Sequence, residues 1–169
     1  MMDSRELPVY KALDALNIPY ERMEHDEART MKALEEVDAA AGAEHCKNLF
    51  LCNRQMTDFY LLLLGGAKKF RTAEVSKQLG VARLSFGSPE KLNEYLGLEP
   101  GSVTPMGLIN DSERRVTVLI DRDLRDAQRI MVHPNVCTAS ICISGKDLFR
   151  FLAARGNRIV DVTIGGEEG

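Results

Sequence analysis

Lys47 stands in an apolar run, Cys46-Lys47-Asn48-Leu49-Phe50-Leu51-Cys52, where an ammonium is out of place unless it has work to do. Strand side chains alternate, so Lys47 shares a face with Leu49 and Leu51, and Asn48 with Phe50 and Cys52. Burying an ammonium costs roughly several kcal/mol unless an anion answers it, and this run holds no acid. Lys47 is therefore either a snorkelling stem at a strand end or a group awaiting an anionic ligand. Gly101-Ser102-Val103-Thr104-Pro105-Met106-Gly107-Leu108 forms a second candidate, either a plain connection or a rigid turn whose backbone N–H groups can face a ligand. Val132-His133-Pro134-Asn135 is the third. A histidine before proline is held extended, so its ring either projects into a cleft or is satisfied by backbone at a turn.

Other chemistries lack their residues. No Gly-Lys-Ser/Thr makes a Walker loop, and no Gly-x-Ser-x-Gly elbow marks a nucleophile. Paired carboxylates and a helical His-Glu-x-x-His are also missing, so covalent hydrolysis is poorly supported. Cys46, Cys52, Cys137 and Cys142 lie among apolar neighbours without a Cys-x-x-Cys pair, which predicts buried free thiols. His45 beside Cys46 has no ligand partners at metal-site spacing, so no metal or cofactor is expected.

Positioning these residues requires a mixed set of elements. Leu7, Tyr10, Leu13 and Leu16 recur at helical spacing, ending near Asn17, and 18–23 reads as a short strand that Pro19 places at an edge or at a strand start. Thr30 caps a predicted helix running through Leu34 and Val37 towards Gly42. Strands over 47–53 and 58–64 form a hairpin, the second apolar enough to be covered on both faces. Residues 72–79 form a helix closed by Gly80, and Ser88-Pro89 opens another that Gly97 ends. Residues 99–107 read as a loop. Further strands are predicted over 116–120, 129–132, 138–143 and 158–164, with Ser144 and Asp147 opening a helix through Leu152. The fold class is α/β (α+β): a single domain over 1–169 with a central mixed sheet flanked by helices.

With 169 residues, 44% hydrophobic and 28% charged, the chain has the composition of a soluble globular protein. It shows neither a membrane span nor a signal peptide, so a cytoplasmic location without membrane partners is expected. The net charge of −3 argues against gripping nucleic acid by bulk electrostatics. Lys47, Arg54, Lys68, Lys69, Arg71, Lys77 and Arg83 nevertheless cluster in one third of the chain, as a solvated face or an RNA site.

Taken in order, Lys47-Asn48-Leu49-Phe50-Leu51, the Gly101-x-x-x-Pro105 loop running into Gly107-Leu108, and His133-Pro134-Asn135 resemble the YbaK/prolyl-tRNA-synthetase-associated editing domains. The resemblance extends from the first helix to about Leu152. Tyr10, Leu13, Ile18, Pro19 and Tyr20 before His25 look most like the free-standing prolyl-tRNA deacylases.

This resemblance implies a trans-editing hydrolase for mischarged tRNA(Pro), alanyl-tRNA(Pro) first, with cysteinyl-tRNA(Pro), a serine or threonine substrate, or a non-catalytic tRNA- or synthetase-binding module as alternatives. It implies that Lys47 is the principal catalytic residue and that His133 positions the tRNA 3′ end or moves a proton. Gly101, Ser102, Val103, Thr104, Pro105 and Gly107 would position the ester and terminal adenosine. Asn48 would bind substrate only if a bulge or strand end turned it towards Lys47. Met31 and Leu34 would wall the amino-acid pocket or pack in the core. The partners implied are the mischarged tRNA 3′ end and prolyl-tRNA synthetase or an elongation factor. Charge reversal at Lys68 and Lys69 is expected to reduce the salt sensitivity of tRNA capture.

Overall fold

The computed structural model describes residues 3–24, 44–65 and 68–165. The helix expected from Thr30 to Gly42, with Met31 and Leu34, lies outside the described residues.

Helix α1 (Leu7–Ala15) buries Val9, Tyr10 and Leu13. Just before it, buried Glu6 accepts hydrogen bonds from the Tyr10 hydroxyl (2.7 Å) and the Arg22 guanidinium (2.9 and 3.0 Å). Burial alone would raise the Glu6 pKa, but Arg22 and Tyr10 together hold it below the usual carboxylate range. This bond pins α1 to β1 (Glu21–Glu24).

Strands β2 (Glu44–Asn53) and β3 (Phe59–Gly65) form the expected hairpin, closed by the Asn53 side chain, which accepts from the backbone N–H groups of Thr57 and Asp58. Helix α2 (Thr72–Leu79), strand β4 (Leu84–Phe86) and helix α3 (Pro89–Leu96) follow. Ser88 caps α3 by accepting from the Lys91 N–H, and Gly97 ends it in the left-handed conformation. The predicted loop over 99–107 tightens at its end into a 3-10 helix, Pro105–Asn110. Strand β5 (Val116–Asp121), a short 3-10 turn, and strands β6 (Arg129–Val132) and β7 (Ala139–Ser144) come next. Ser144 caps helix α4 (Gly145–Arg155) by accepting from the Asp147 N–H, and β8 (Ile159–Val162) completes the order.

Among the described residues, eight strands form one sheet in the order β1-β7-β6-β2-β3-β5-β8, with β4 also on β2. Pairings β2–β6, β3–β5 and β5–β8 are parallel and the others antiparallel, so the sheet is mixed as expected. Every residue of β3 is buried. Phe59, Leu61 and Leu63 face one core with α1, α3 and α4, while Tyr60, Leu62 and Leu64 face a second with Val75 of α2. Each buried leucine is worth about 1.5–3 kcal/mol of transfer free energy. The centre of the sheet is thus a stiff base for the strand beside it, β2. All four cysteines are buried, and no disulfide joins them among the described residues, as their neighbours predicted.

Candidate active site

Strand β2 changes partners along one edge. Glu44 and His45 pair in parallel with Ile130 and Met131 of β6, whereas Leu51, Cys52 and Asn53 pair with β4. Between these pairings no described strand lies on that edge, and β2 and β6 diverge. Crevices where neighbouring strands part at their carboxyl ends are where open α/β sheets bind ligands. Lys47 sits two residues past the last β2–β6 pair, and His133 two residues past it on β6. The register thus sets both candidates level, on either side of the opening.

The β2–β3 register runs unbroken from Cys46↔Gly65 to Cys52↔Phe59, with Lys47 opposite Leu64. No bulge intervenes, so Lys47 joins Leu49 and Leu51 on the α2 face and Asn48 joins Cys46 and Phe50 on the other. The Asn48 amide donates along its own strand to the Cys46 carbonyl (3.3 Å). The structure therefore does not bring Asn48 to Lys47's face.

Lys47 is half-buried, and its Nζ donates to the backbone carbonyl of Lys68. A neutral carbonyl orients the ammonium without cancelling its charge. Among the described residues no carboxylate forms an ion pair with it, so its positive charge is not answered by an acid there. Lys68 itself differs from its sequence expectation. Its Nζ bonds Asp121 (2.9 Å), Asp123 (2.6 Å) and the Ile164 carbonyl (3.0 Å). Burial would depress its pKa, but the two carboxylates hold it above the usual lysine range. Lys68 is a structural cation rather than a member of a solvated basic face. Lys69, Arg71, Lys77 and Arg83 are exposed.

The glycine–proline loop is joined to the histidine segment. Thr104, fully buried, donates its hydroxyl to the His133 carbonyl (2.6 Å) and accepts from the Met106 N–H. Ser102 is also buried, and its hydroxyl donates to the Glu99 carbonyl. Both side chains are engaged internally, which leaves exposed Gly101, at φ 93°, and half-buried Val103 to meet a ligand through the main chain. Pro105 is buried at the first turn of the 3-10 helix. Gly107 packs instead of binding, since a Cβ there would come within 2.7 Å of Leu98 Cδ1. Thr104→Val removes a buried donor and should cost about 1–3 kcal/mol in urea unfolding. Thr104→Ser should restore most of the loss.

His133 is buried, with Nδ1 3.1 Å from the Ala139 carbonyl. A carbonyl only accepts, so Nδ1 carries a proton and donates it to Ala139. The backbone-satisfied reading therefore holds for Nδ1. Asn135, two residues on, has no role predicted from its sequence position. It adopts φ 67°, is buried, and its Oδ1 has no hydrogen-bond partner among the described residues. Its signal was the Pro-Asn pair, because asparagine tolerates the left-handed region.

The aminoacyl-tRNA editing domain model matches residues 25–151, which span Lys47, the loop and His133. The chain belongs to the aminoacyl-tRNA editing domain family. Such domains hydrolyse the ester of an aminoacyl-tRNA, which makes this editing domain an aminoacyl-tRNA deacylase. It is 33% identical over 156 residues to the prolyl-tRNA editing protein ProX of Acetoanaerobium sticklandii, covering 92% of this chain and 94% of that protein. It is 32% identical to the prolyl-tRNA synthetase associated domain-containing protein 1 of Danio rerio, over 83% of this chain and 77% of that one. A crystal structure of a candidate trans-editing enzyme for prolyl-tRNA synthetase superposes with TM-score 0.73 at 20% identity, covering 98% of this chain and 100% of that chain. That likeness establishes the editing-domain fold. No helix among its described residues is long and apolar enough to cross a membrane.

Proposed function

We propose that this editing domain hydrolyses mischarged tRNA(Pro) in trans, in the cytoplasm, with alanyl-tRNA(Pro) as its principal substrate. The observation that carries the reading is the Lys47 ammonium, held on a half-buried sheet face beside the β2–β6 opening with a neutral carbonyl as its protein partner. Such a charge suits an anion that arrives with the substrate: a phosphate of the terminal nucleotide or the oxyanion of the reacting ester. The names of the two relatives support proline tRNA.

The chemistry is ester hydrolysis. A water oxygen bonds to the acyl carbon, and the tetrahedral oxyanion forms within reach of Lys47. The bond to the ribose oxygen then breaks, and that oxygen takes up a proton. The main chain at Gly101 and Val103 positions the terminal adenosine, and His133 and Thr104 hold the loop against the end of β6. The substrate's own ribose hydroxyl assists the water. A proline pocket in the synthetase cannot strongly reject alanine, since a missing methylene is worth only about 1–3 kcal/mol, so a second sieve that excludes proline by size is needed. Prolyl-tRNA synthetase or an elongation factor would hand over the mischarged tRNA.

The test is a deacylation time course with alanyl-, cysteinyl- and prolyl-tRNA(Pro). Loss of alanine with proline spared is the expected result. Loss of cysteine alone would assign the protein to cysteinyl-tRNA(Pro), and hydrolysis of none would overturn the proposal.

A further inference from the structure

We propose that the exposed ring of Phe86, backed by Phe70 and flanked by Lys69 and Arg71, is a stacking platform for an unpaired nucleobase of the tRNA 3′ end. The inference rests on the editing reading for the identity of the RNA, but on separate residues. Phe86 is 64% exposed, although it belongs to a paired strand. Isolated surface apolar residues are ordinary. Three observations set this one apart.

A second aromatic ring supports it: Phe70 lies edge-on, with centroids 5.8 Å apart and planes at 64°. Such a contact fixes the orientation of the exposed ring. Cations lie close to both rings along the chain. Lys69 and Arg71 adjoin Phe70 in sequence, Arg83 begins the turn into β4, and all three are exposed. Rings interleaved with cations are how proteins hold single-stranded nucleic acid, the ring taking a base face and the cations the phosphates. Ser85, Gly87 and Ser88 beside Phe86 are small or polar, unlike the apolar centre of a protein interface.

The platform also lies on the correct face. Phe86 is opposite Leu51, which shares the Lys47 face of β2. Lys47 bonds the Lys68 carbonyl, and Phe70 is two residues further on, a span of about 7 Å in extended chain. A strand end whose ester lies at Lys47 therefore reaches the platform within a short run of nucleotides. A cleft of about 660 Å³ near the loop, lined by Pro89, Glu90, Asn93, Leu98, Glu99 and Pro100, carries two carboxylates that repel a phosphate chain.

The chain has no tryptophan, so Phe86→Trp installs a single indole reporter at an exposed position. Its fluorescence should be quenched saturably by uncharged tRNA(Pro) and unaffected by the same tRNA lacking its three 3′ nucleotides. In deacylation, Phe86→Ala should raise KM about tenfold at unchanged kcat, and Phe86→Trp should keep KM near that of the parent. Quenching that needs prolyl-tRNA synthetase instead of RNA overturns the platform. So does the absence of quenching in a variant that still hydrolyses its substrate, and in that case the editing reading stands. Quenching in a protein that hydrolyses no mischarged tRNA(Pro) has the opposite meaning: the RNA platform stands and the editing reading fails.

Discussion

Lys47→Ala is expected to lower the single-turnover rate of deacylation by about a hundredfold to a thousandfold, the scale of losing one preorganised charge at an oxyanion. Thermal unfolding should change little, because the side chain is half-buried and its hydrogen bond among the described residues is to a carbonyl that water can reach once the stem is gone. Lys47→Met separates the two roles of the side chain, since it keeps an apolar stem along Leu49 and removes the ammonium. Equal loss of rate in both variants assigns the effect to charge. Recovery in the methionine variant would assign it to packing, and full turnover in either would remove Lys47 from the mechanism.

Lys68→Glu is the second large effect, and it concerns stability. The Nζ of Lys68 joins a buried carboxylate, Asp121, to the Ile164 carbonyl across the ends of β3, β5 and the segment after β8. Asp121 also accepts from the Gly65 N–H (3.1 Å). Breaking such a pair leaves a buried charge unanswered, at about 3–5 kcal/mol, a large share of a typical domain's stability. Asp123 is mostly exposed and adds little. Urea unfolding should show Lys68→Glu strongly destabilised and Lys69→Glu close to the parent. The expectation that charge reversal at both lysines reports on tRNA capture is thus corrected: only Lys69 can report on it without damage to the fold. A stable Lys68→Glu protein would contradict the structural role.

The local grammar of the chain was legible without coordinates. Ser88-Pro89 and Gly97 bounded α3, Ser144 and Asp147 opened α4, and the apolar stretch of β3 proved buried on both faces. Caps, turns and period-2 alternation act between residues a few positions apart, so spacing alone reveals them. The same alternation separated Lys47 from Asn48, and the unbroken register keeps them apart. Strand β4 was not foreseen, because three residues carry no measurable period and Leu84–Phe86 is a strand only through its pairing with β2.

Sequence order also carried the family and the segments proposed to form the site, since each is a short run with its own chemistry. Tertiary structure decided how those runs meet. The parting of β2 from β6 sets Lys47 level with His133 across more than eighty residues of chain, and Thr104 joins the loop to the same place. It also decided which lysine is structural, because the charges that answer Lys68 lie 53 and 55 residues away. A charge in a sequence has no partner until the chain folds. Whether it becomes a surface cation, a buried ion pair or a waiting catalytic group depends on long-range pairing that no local pattern encodes.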